Sequence, residues 1–151
     1  MTDSVQKLRF DRDVVVLQAG GQHHARLRGW LDGYVGPQPI YRLELQTRLG
    51  TYGGPYTATG PDMFETLVRL RRQLEPEGLM IAVQGSRRDA YPSGMARDMG
   101  GGERIYVLRP GQKASANDLV DTFADGPIDQ VATVGEQHSF WEAWCSRVSE
   151  S

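Results

Sequence analysis

The residues best suited to chemistry lie in one glycine- and arginine-rich segment, Gly85–Glu103, which separates two apolar runs. Arg87, Arg88 and Arg97 carry planar guanidinium groups that can hold a carboxylate or a phosphate through paired hydrogen bonds. Tyr91 adds an aromatic ring of a kind that is common at protein interfaces. We interpret the segment as a loop, and loops of this length without secondary structure are uncommon and often functional.

Two features of this segment bear on what it binds. Asp89 and Asp98 could pair with the arginines inside the loop, in which case the arginines would fold the loop onto the domain. The glycines Gly100–Gly102 precede a strand, whereas a dinucleotide-binding fingerprint places its glycines after a strand and before a helix. We therefore expect a poor phosphate site and favour contact with a partner.

The histidines and the cysteine are scattered along the chain. His23 and His24 are adjacent, so in a strand they point to opposite faces, and His138 and Cys145 are distant from them in sequence. A structural zinc site needs about four ligands with paired spacing. We therefore predict neither a metal nor a cofactor.

Nucleophilic catalysis would need a serine or cysteine beside a positioned base. Ser86, Ser93 and Cys145 are candidates by residue type alone, and Ser93 is not embedded in a nucleophile-elbow motif. The sequence thus identifies no catalytic residue and favours a binding protein over an enzyme. The alternative is a small enzyme that holds an anionic substrate through the arginines of Gly85–Glu103.

One predicted strand carries a basic face. His24, Arg26, Arg28 and Trp30 alternate with apolar residues, and a basic stripe with an aromatic ring is one mark of nucleic-acid binding. The sequence pI of about 5.9 argues against that function. We interpret the stripe as the solvated face of an amphipathic strand and expect no nucleic-acid partner.

Apolar patterning predicts five strands. They are, in chain order, Val14–Leu17, the stretch His24–Leu31, Tyr41–Gln46, Leu79–Val83 and Arg104–Leu108. The turn residues Ala19–Gln22 should join the first two strands in a hairpin, whereas Gly33–Pro39 and Gly50–Gly60 are expected to be loops. Consecutive antiparallel pairing is the simplest arrangement.

Helical spacing predicts two or three helices. One opens at Pro61–Glu65 and ends at Glu75–Gly78. Its residues at helical spacing are Phe64, Leu67, Val68, Arg71 and Leu74. A second helix is expected after Ser115 or Asn117, holding Leu119, Val120 and Phe123, and a third from about Val134 to Val148. Residues 1–151 are therefore expected to form a single α+β domain, with a mainly antiparallel sheet of about five strands packed against two or three helices.

Charge is distributed unevenly along a chain whose net charge is −2. Residues 1–114 hold 16 Lys and Arg against 12 Asp and Glu, whereas residues 115–151 hold one against seven. The acidic residues Asp121, Asp125 and Asp129 lie in this acidic C-terminal part of the chain and could face a basic partner. The one cysteine, the absence of an apolar leader and the lack of a run near the ~20 residues of a membrane span predict a cytoplasmic protein without membrane contact.

The run Gly85–Gly100 resembles a motif of small bacterial immunity proteins that are encoded beside polymorphic toxins of the Rhs and contact-dependent inhibition types. The stretch Leu119–Phe123 and the tryptophan-containing C-terminal helix are similar to that group as well. The resemblance covers roughly the second half of the chain. It implies a non-enzymatic inhibitor that docks on a cognate toxin domain.

The sequence and this resemblance together predict an immunity protein that neutralises its toxin by direct binding. The acidic C-terminal part suits the role, because toxins that attack nucleic acid commonly have basic clefts. The residues expected to contact the partner are Arg87, Arg88, Tyr91, Arg97, Asp121, Asp125 and Asp129.

Overall fold

The structure, a computed structural model, describes residues 3–51 and 53–149. Its larger sheet contains β1 (Asp3–Gln18), β2 (Gly21–Val35), β3 (Gln38–Gln46), β4 (Tyr56–Gly60) and β5 (Leu79–Ile81), in the order β4-β3-β2-β1-β5. A smaller sheet contains β6 (Ala90–Tyr91), β7 (Arg104–Val107) and β8 (Leu119–Asp121). The helices are α1 (Met63–Leu74), α2 (Gly94–Gly100) and α3 (Val134–Ser149). All strand pairs are antiparallel, and the predicted α+β fold class is confirmed.

The predicted hairpin between the first two strands is confirmed. Ala19 and Gly20 form a two-residue turn with φ values of +48° and +80°, and Gln18 pairs with Gly21 beside it. Backbone twist in such a turn matches the twist of the flanking strands. Period-two alternation then buries one face of the sheet: Val14 and Val16 on β1, Ala25 and Leu27 on β2, and Leu43 and Leu45 on β3.

Two stretches expected to be loops contain strand residues, and these predictions are corrected. In Gly33–Pro39, β2 runs to Val35 and β3 begins at Gln38, so Gly36 and Pro37 alone make the turn. In Gly50–Gly60, the last five residues form β4 and pair with β3. Residues of β4 alternate between buried and exposed, a pattern that the neighbouring glycines and prolines masked.

Helix α1 lies between the two sheets, as its two buried faces show. The Asp62 side chain caps its first turn by accepting a hydrogen bond of 2.8 Å from the Glu65 N–H. Leu67 and Leu70 pack into the core under the larger sheet. Phe64 and Val68 point the other way, into a second cluster with Ala90 and Ile105. The predicted helix and its stop before Gly78 are both confirmed.

The helix predicted after Ser115 or Asn117 is wrong. Residues Ala116–Asp118 form one 3-10 turn, and the chain then extends as β8 against β7. The apolar residues of this stretch do not share a helical face: Val120 packs with the smaller cluster, and the Phe123 ring lies 4.4 Å from that of Phe10. Strand pairing and these two separate contacts outweigh the helical tendency. The C-terminal helix is confirmed as α3.

The segment Gly85–Glu103 is not a structureless loop. It holds the end of the 3-10 turn Gln84–Ser86, the short strand β6 and the helix α2. The Ser93 hydroxyl caps α2 by accepting a hydrogen bond of 3.0 Å from the Ala96 N–H. Glycines at both ends of α2 concealed this helix in the sequence. Among the described residues, no helix is long and apolar enough to span a membrane.

A carboxylate in the 3-10 turn that follows α1 binds the chain before β4 and the first residue of β4. Glu77 accepts hydrogen bonds from the Tyr56 hydroxyl and from the Thr51 N–H. These bonds, the first above all, hold the pKa of Glu77 below its usual range. The same contact with Glu77, together with burial, raises the pKa of Tyr56 to about 12.

This contact predicts a loss of stability in acid. The folded pKa of Glu77 lies below its unfolded value of 4.5, so its stabilisation is present above that value and is lost as the pH falls through the folded pKa. Glu77→Gln should therefore destabilise the protein at neutral pH, and its difference from wild type should shrink between about pH 6 and about pH 3. Urea denaturation across that range measures it, with Tyr56→Phe as the matched partner variant. A difference that stays constant with pH would contradict the assignment.

Candidate functional site

A groove between α1 and α3 brings two of the predicted contact residues together. Tyr91 and Arg97 both line it, beside Phe64, Val68 and Val134. Arg72, Glu65 and His138 supply charged or titratable groups to the same groove. Its volume is about 290 Å³. An apolar base with polar groups around it is the composition of many binding sites; we call this feature the α1–α3 groove.

Tyr91 forms the centre of a ring cluster at the groove. Its ring stacks on that of Trp141 at a centroid distance of 4.4 Å and an interplanar angle of 15°, and meets the Phe64 ring edge-on at 5.2 Å. Pairing of Tyr91 with Tyr106 across β6 and β7 fixes the backbone behind it. Burial raises the pKa of Tyr91, so its hydroxyl stays protonated at neutral pH. The cluster is therefore a rigid aromatic surface.

Arg97 lies over the same rings. Its guanidinium carbon is 5.1 Å from the Phe64 centroid and 5.4 Å from that of Tyr91, which are cation–π distances. Its Nη1 atom is 3.8 Å from an Asp62 oxygen and 3.9 Å from a Glu65 oxygen. These separations exceed hydrogen-bond length, so the two carboxylates balance its charge without occupying its donors.

Helix α2 presents two large apolar side chains to solvent. Met95 is 71% exposed and Met99 is 82% exposed. Residues four apart lie on one face of a helix, and Arg97, midway between them, points to the groove. We call Met95 and Met99 the methionine face; sequence analysis missed it because α2 itself was not predicted.

The other loop arginines are divided between two environments. Arg87 is committed internally, because its Nε and Nη2 atoms donate to the two Asp89 oxygens at 2.8 and 3.0 Å. Arg88 is exposed and reaches the far side of α3, with its guanidinium 6.0 Å from the Phe140 ring. Asp98 is exposed on α2. Of the two suspected internal pairings, the structure therefore contains the one between Asp89 and Arg87.

The three acidic contact candidates lie outside the groove. Asp121 faces Arg104 across β7 and β8, with 3.7 Å between their charged atoms. Asp125 and Asp129 are exposed on the segment that leads to α3. Main-chain contacts join this segment to the residues after β5, since Val83 bridges Asp125. The seven predicted residues thus fall on separate parts of the surface.

The glycine run after α2 supports the start of α1. The Gly101 carbonyl accepts a hydrogen bond of 2.7 Å from the Met63 N–H, one of the amides that begin α1. Gly102 has φ of +69°, and a Cβ there would lie 2.7 Å from the Phe64 nitrogen and 2.6 Å from an Asp62 oxygen. The glycine at position 102 therefore allows the backbone after α2 to lie directly against the first turn of α1.

A buried polar network joins α1 to α3, and sequence analysis missed its role. Arg71, 2% exposed, donates to the Gln137 Oε1 atom at 2.6 Å and to the Ala132 carbonyl at 2.7 Å. Gln137 in turn donates to the carbonyls of Gly85 and Arg87, both at 2.8 Å. Burial lowers the pKa of Arg71 to about 10, so the group is charged at neutral pH. The indication of this network in the sequence was Arg71 itself, which falls at helical spacing with the apolar residues of α1.

The basic stripe on β2 is paired with acidic neighbours. Arg26 hydrogen-bonds Asp11 on β1, and an Asp11 oxygen lies 3.5 Å from Arg28. Arg42 lies 4.0 Å above the Trp30 ring and 3.3 Å from an Asp32 oxygen. This face therefore has alternating charges, in keeping with a solvated strand surface.

Three other residues considered as nucleophiles or metal ligands are buried or bonded within the protein. Ser86 is only 1% exposed, so no substrate can reach it, and Ser93 caps α2. His138 lies 2.6 Å from Glu142 one turn along α3. Across residues 3–51 and 53–149, no three His, Cys, Asp or Glu side chains converge as a metal site would require.

Comparison with known proteins adds no relative to this picture. No family model matches the chain, and no curated protein matches it significantly.

Proposed function

We propose that this chain is an immunity protein that neutralises a cognate bacterial toxin by direct protein–protein binding. The observation that carries the proposal is the methionine face of α2. It lies within Gly85–Gly100, the run whose sequence resembles immunity proteins. Two neighbouring, strongly exposed methionines are costly to leave in water, and the flexible thioether adapts to varied partner surfaces.

The surroundings of the methionine face suit an interface. Arg97 of α2 lies over the Tyr91 ring, which stacks on Trp141, and tyrosine, tryptophan and arginine are the residue types most often responsible for binding energy. The exposed Asp125 and Asp129 would contribute a negative potential that accelerates the approach of a basic toxin. Tight contact is thus assigned to α2 and the α1–α3 groove, and steering to the acidic segment.

The test requires a partner, and we expect the neighbouring gene to encode a toxin-like C-terminal domain. The intact chain should co-purify with that domain and restore growth of cells that express it. The double substitution Met95→Asp with Met99→Asp should raise the dissociation constant at least about 100-fold, because the two side chains proposed to make the central contacts are lost. Since both side chains are exposed, the melting temperature should stay close to that of wild type.

Gln22→Asp is the matched control for this substitution. Gln22 is exposed near the start of β2. The end of α2 lies near the other end of that strand, because the Tyr41 hydroxyl lies against Gly101 and Tyr41 pairs with Leu31 of β2. The nine residue steps from Gln22 to Leu31 place the control about 30 Å from that end of the sheet. Full affinity in the double variant would refute the docking surface. Failure of the intact chain to bind or protect would refute the proposed function.

The alternative, an enzyme that holds an anionic substrate with the loop arginines, has less support at Arg87 and Arg97, whereas Arg88 is exposed. Asp89 occupies the donors of Arg87, and Asp62 and Glu65 balance the charge of Arg97. An anion at either arginine would have to displace or approach a carboxylate, which costs binding energy.

A further inference from the structure

A second cavity lies on the opposite side of α3 from the α1–α3 groove. It is lined by Arg88, Pro110, Glu136, Phe140, Trp144 and Arg147, among others, and we call it the α3 cleft. Its volume is about 640 Å³. Ligand sites in proteins commonly measure about 300–1,000 Å³ and combine apolar walls with a few polar groups. The α3 cleft meets both conditions.

The aromatic wall of this cleft is held in place. The Trp144 indole N–H donates to the Arg109 carbonyl at 3.0 Å and to the Gln112 carbonyl at 2.9 Å. Pro110 lies between Arg109 and Gln112 in the sequence and lines the same cleft. Because two main-chain oxygens accept hydrogen bonds from the indole, they fix the orientation of its ring, which lines the cleft together with Phe140. A planar apolar group would find a preformed surface there.

The two arginines of the cleft differ from the arginines that form ion pairs in this protein. Arg9, for example, lies 2.8 Å from Glu103, and Arg109 lies 3.0 Å from Asp118. In the part of the chain that the structure describes, no carboxylate lies within 4.0 Å of the charged nitrogens of Arg88 or Arg147. Both side chains therefore keep donors available for a ligand.

The charge balance of the cleft indicates the kind of anion. Among the described residues, Glu136 is the one carboxylate in its lining, and its Oε1 atom accepts a hydrogen bond of 3.0 Å from the Thr133 N–H at the start of α3. Arg88 lies near this carboxylate, and Arg147 lies about 16 Å further along the helix axis than Glu136. Two guanidinium groups against one carboxylate leave a single positive charge, which a monoanion would balance.

From these observations we propose that the α3 cleft binds an aromatic carboxylate, with its ring against Phe140 and Trp144 and its carboxylate on Arg147. Guanidinium matches the planar, two-oxygen geometry of a carboxylate. The proposal does not depend on the proposed immunity function, because the methionine face and the α3 cleft are separate surfaces. The same chemistry is found in small aromatic acids and at the end of a peptide that terminates in an aromatic residue.

The test is a titration of the ¹⁵N-labelled chain with 2-naphthoate, followed by NMR. The Trp144 indole N–H signal should shift and saturate with a dissociation constant on the order of 1 mM, as expected for a ligand of this size. The Trp30 indole, on the larger sheet, should not move. The neutral analogue 2-naphthamide should bind the wild-type protein at least about fivefold more weakly than 2-naphthoate does. The variant Arg147→Gln should bind 2-naphthoate more weakly than wild type by a similar factor. Arg12→Gln, on β1, is the matched control.

Three results would overturn the proposal. They are an unmoved Trp144 signal at 10 mM naphthoate, equal binding of the acid and the amide, and unchanged affinity in Arg147→Gln. A tripeptide ending in phenylalanine with a free carboxylate distinguishes the two sources of the ligand. Tighter binding of the tripeptide than of naphthoate assigns the cleft to a chain end, and weaker binding assigns it to a small acid.

Discussion

Replacing Arg71 by alanine is expected to lower the free energy of unfolding by about 3–5 kcal/mol, the range for disrupting a buried charged network. The substitution would leave the Gln137 Oε1 atom and the Ala132 carbonyl without their donor, in a site from which water is excluded. It would also leave a cavity between α1 and α3, since the guanidinium is 2% exposed.

Arg72→Ala is the control for Arg71→Ala, because Arg72 is the next residue of α1 and is exposed. Its effect should stay within about 0.5 kcal/mol. Urea denaturation of both variants gives the comparison. A double-mutant cycle with Gln137→Ala should show strong coupling, since the two side chains share one network. Similar small losses for Arg71→Ala and Arg72→Ala would mean that the buried network contributes little.

Gly102→Ala is expected to destabilise the protein by about 3–5 kcal/mol, the sum of backbone strain and overpacking. Alanine is strained at the Gly102 φ of +69°. Its Cβ would also lie 2.7 Å from the Phe64 nitrogen, and a main-chain atom in the first turn of α1 cannot rotate away. Relief would require breaking the hydrogen bond between Gly101 and Met63.

Gly100→Ala tests whether this cost comes from the geometry rather than from losing any glycine. Gly100 is the last residue of α2, and a Cβ there meets no atom within 4 Å. Alanine should be neutral or stabilise the helix by up to about 1 kcal/mol. Thermal and urea denaturation compare the two variants. If Gly102→Ala were tolerated as well as Gly100→Ala, the contact between α2 and the start of α1 would contribute little to stability.

The sequence predicted those elements whose pattern is local. Leu43 and Leu45 alternate with polar residues and lie in the core as expected, and Asp62 opens α1 where its type and position suggested. The short strand Leu119–Asp121 was missed because a three-residue strand exists only through its pairing with β7, which lies outside the stretch itself. No local pattern carries that information.

The candidate site was predictable to a similar, partial extent. Tyr91 and Arg97 were singled out by type, and the structure brings them into one groove. The commitment of Arg87 to Asp89 was left open in the sequence, because it depends on how the chain turns between them. Met95 and Met99 gave no signal until Ser93 was seen to cap a helix. Contacts with α3 could not be foreseen at all, since Trp141 lies about fifty residues from Tyr91.

The hydrogen bond from Met63 to Gly101 has a consequence for how any partner would be met. Helix α2 cannot drift from the body of the protein without uncapping α1, so its main chain is already ordered before association. The Met95 and Met99 side chains, by contrast, are mostly exposed, so little packing restricts their rotamers. Binding there would cost rotamer entropy in two side chains but little backbone entropy. The protein therefore presents two adaptable methionine side chains on a helix whose backbone is already ordered in the folded state.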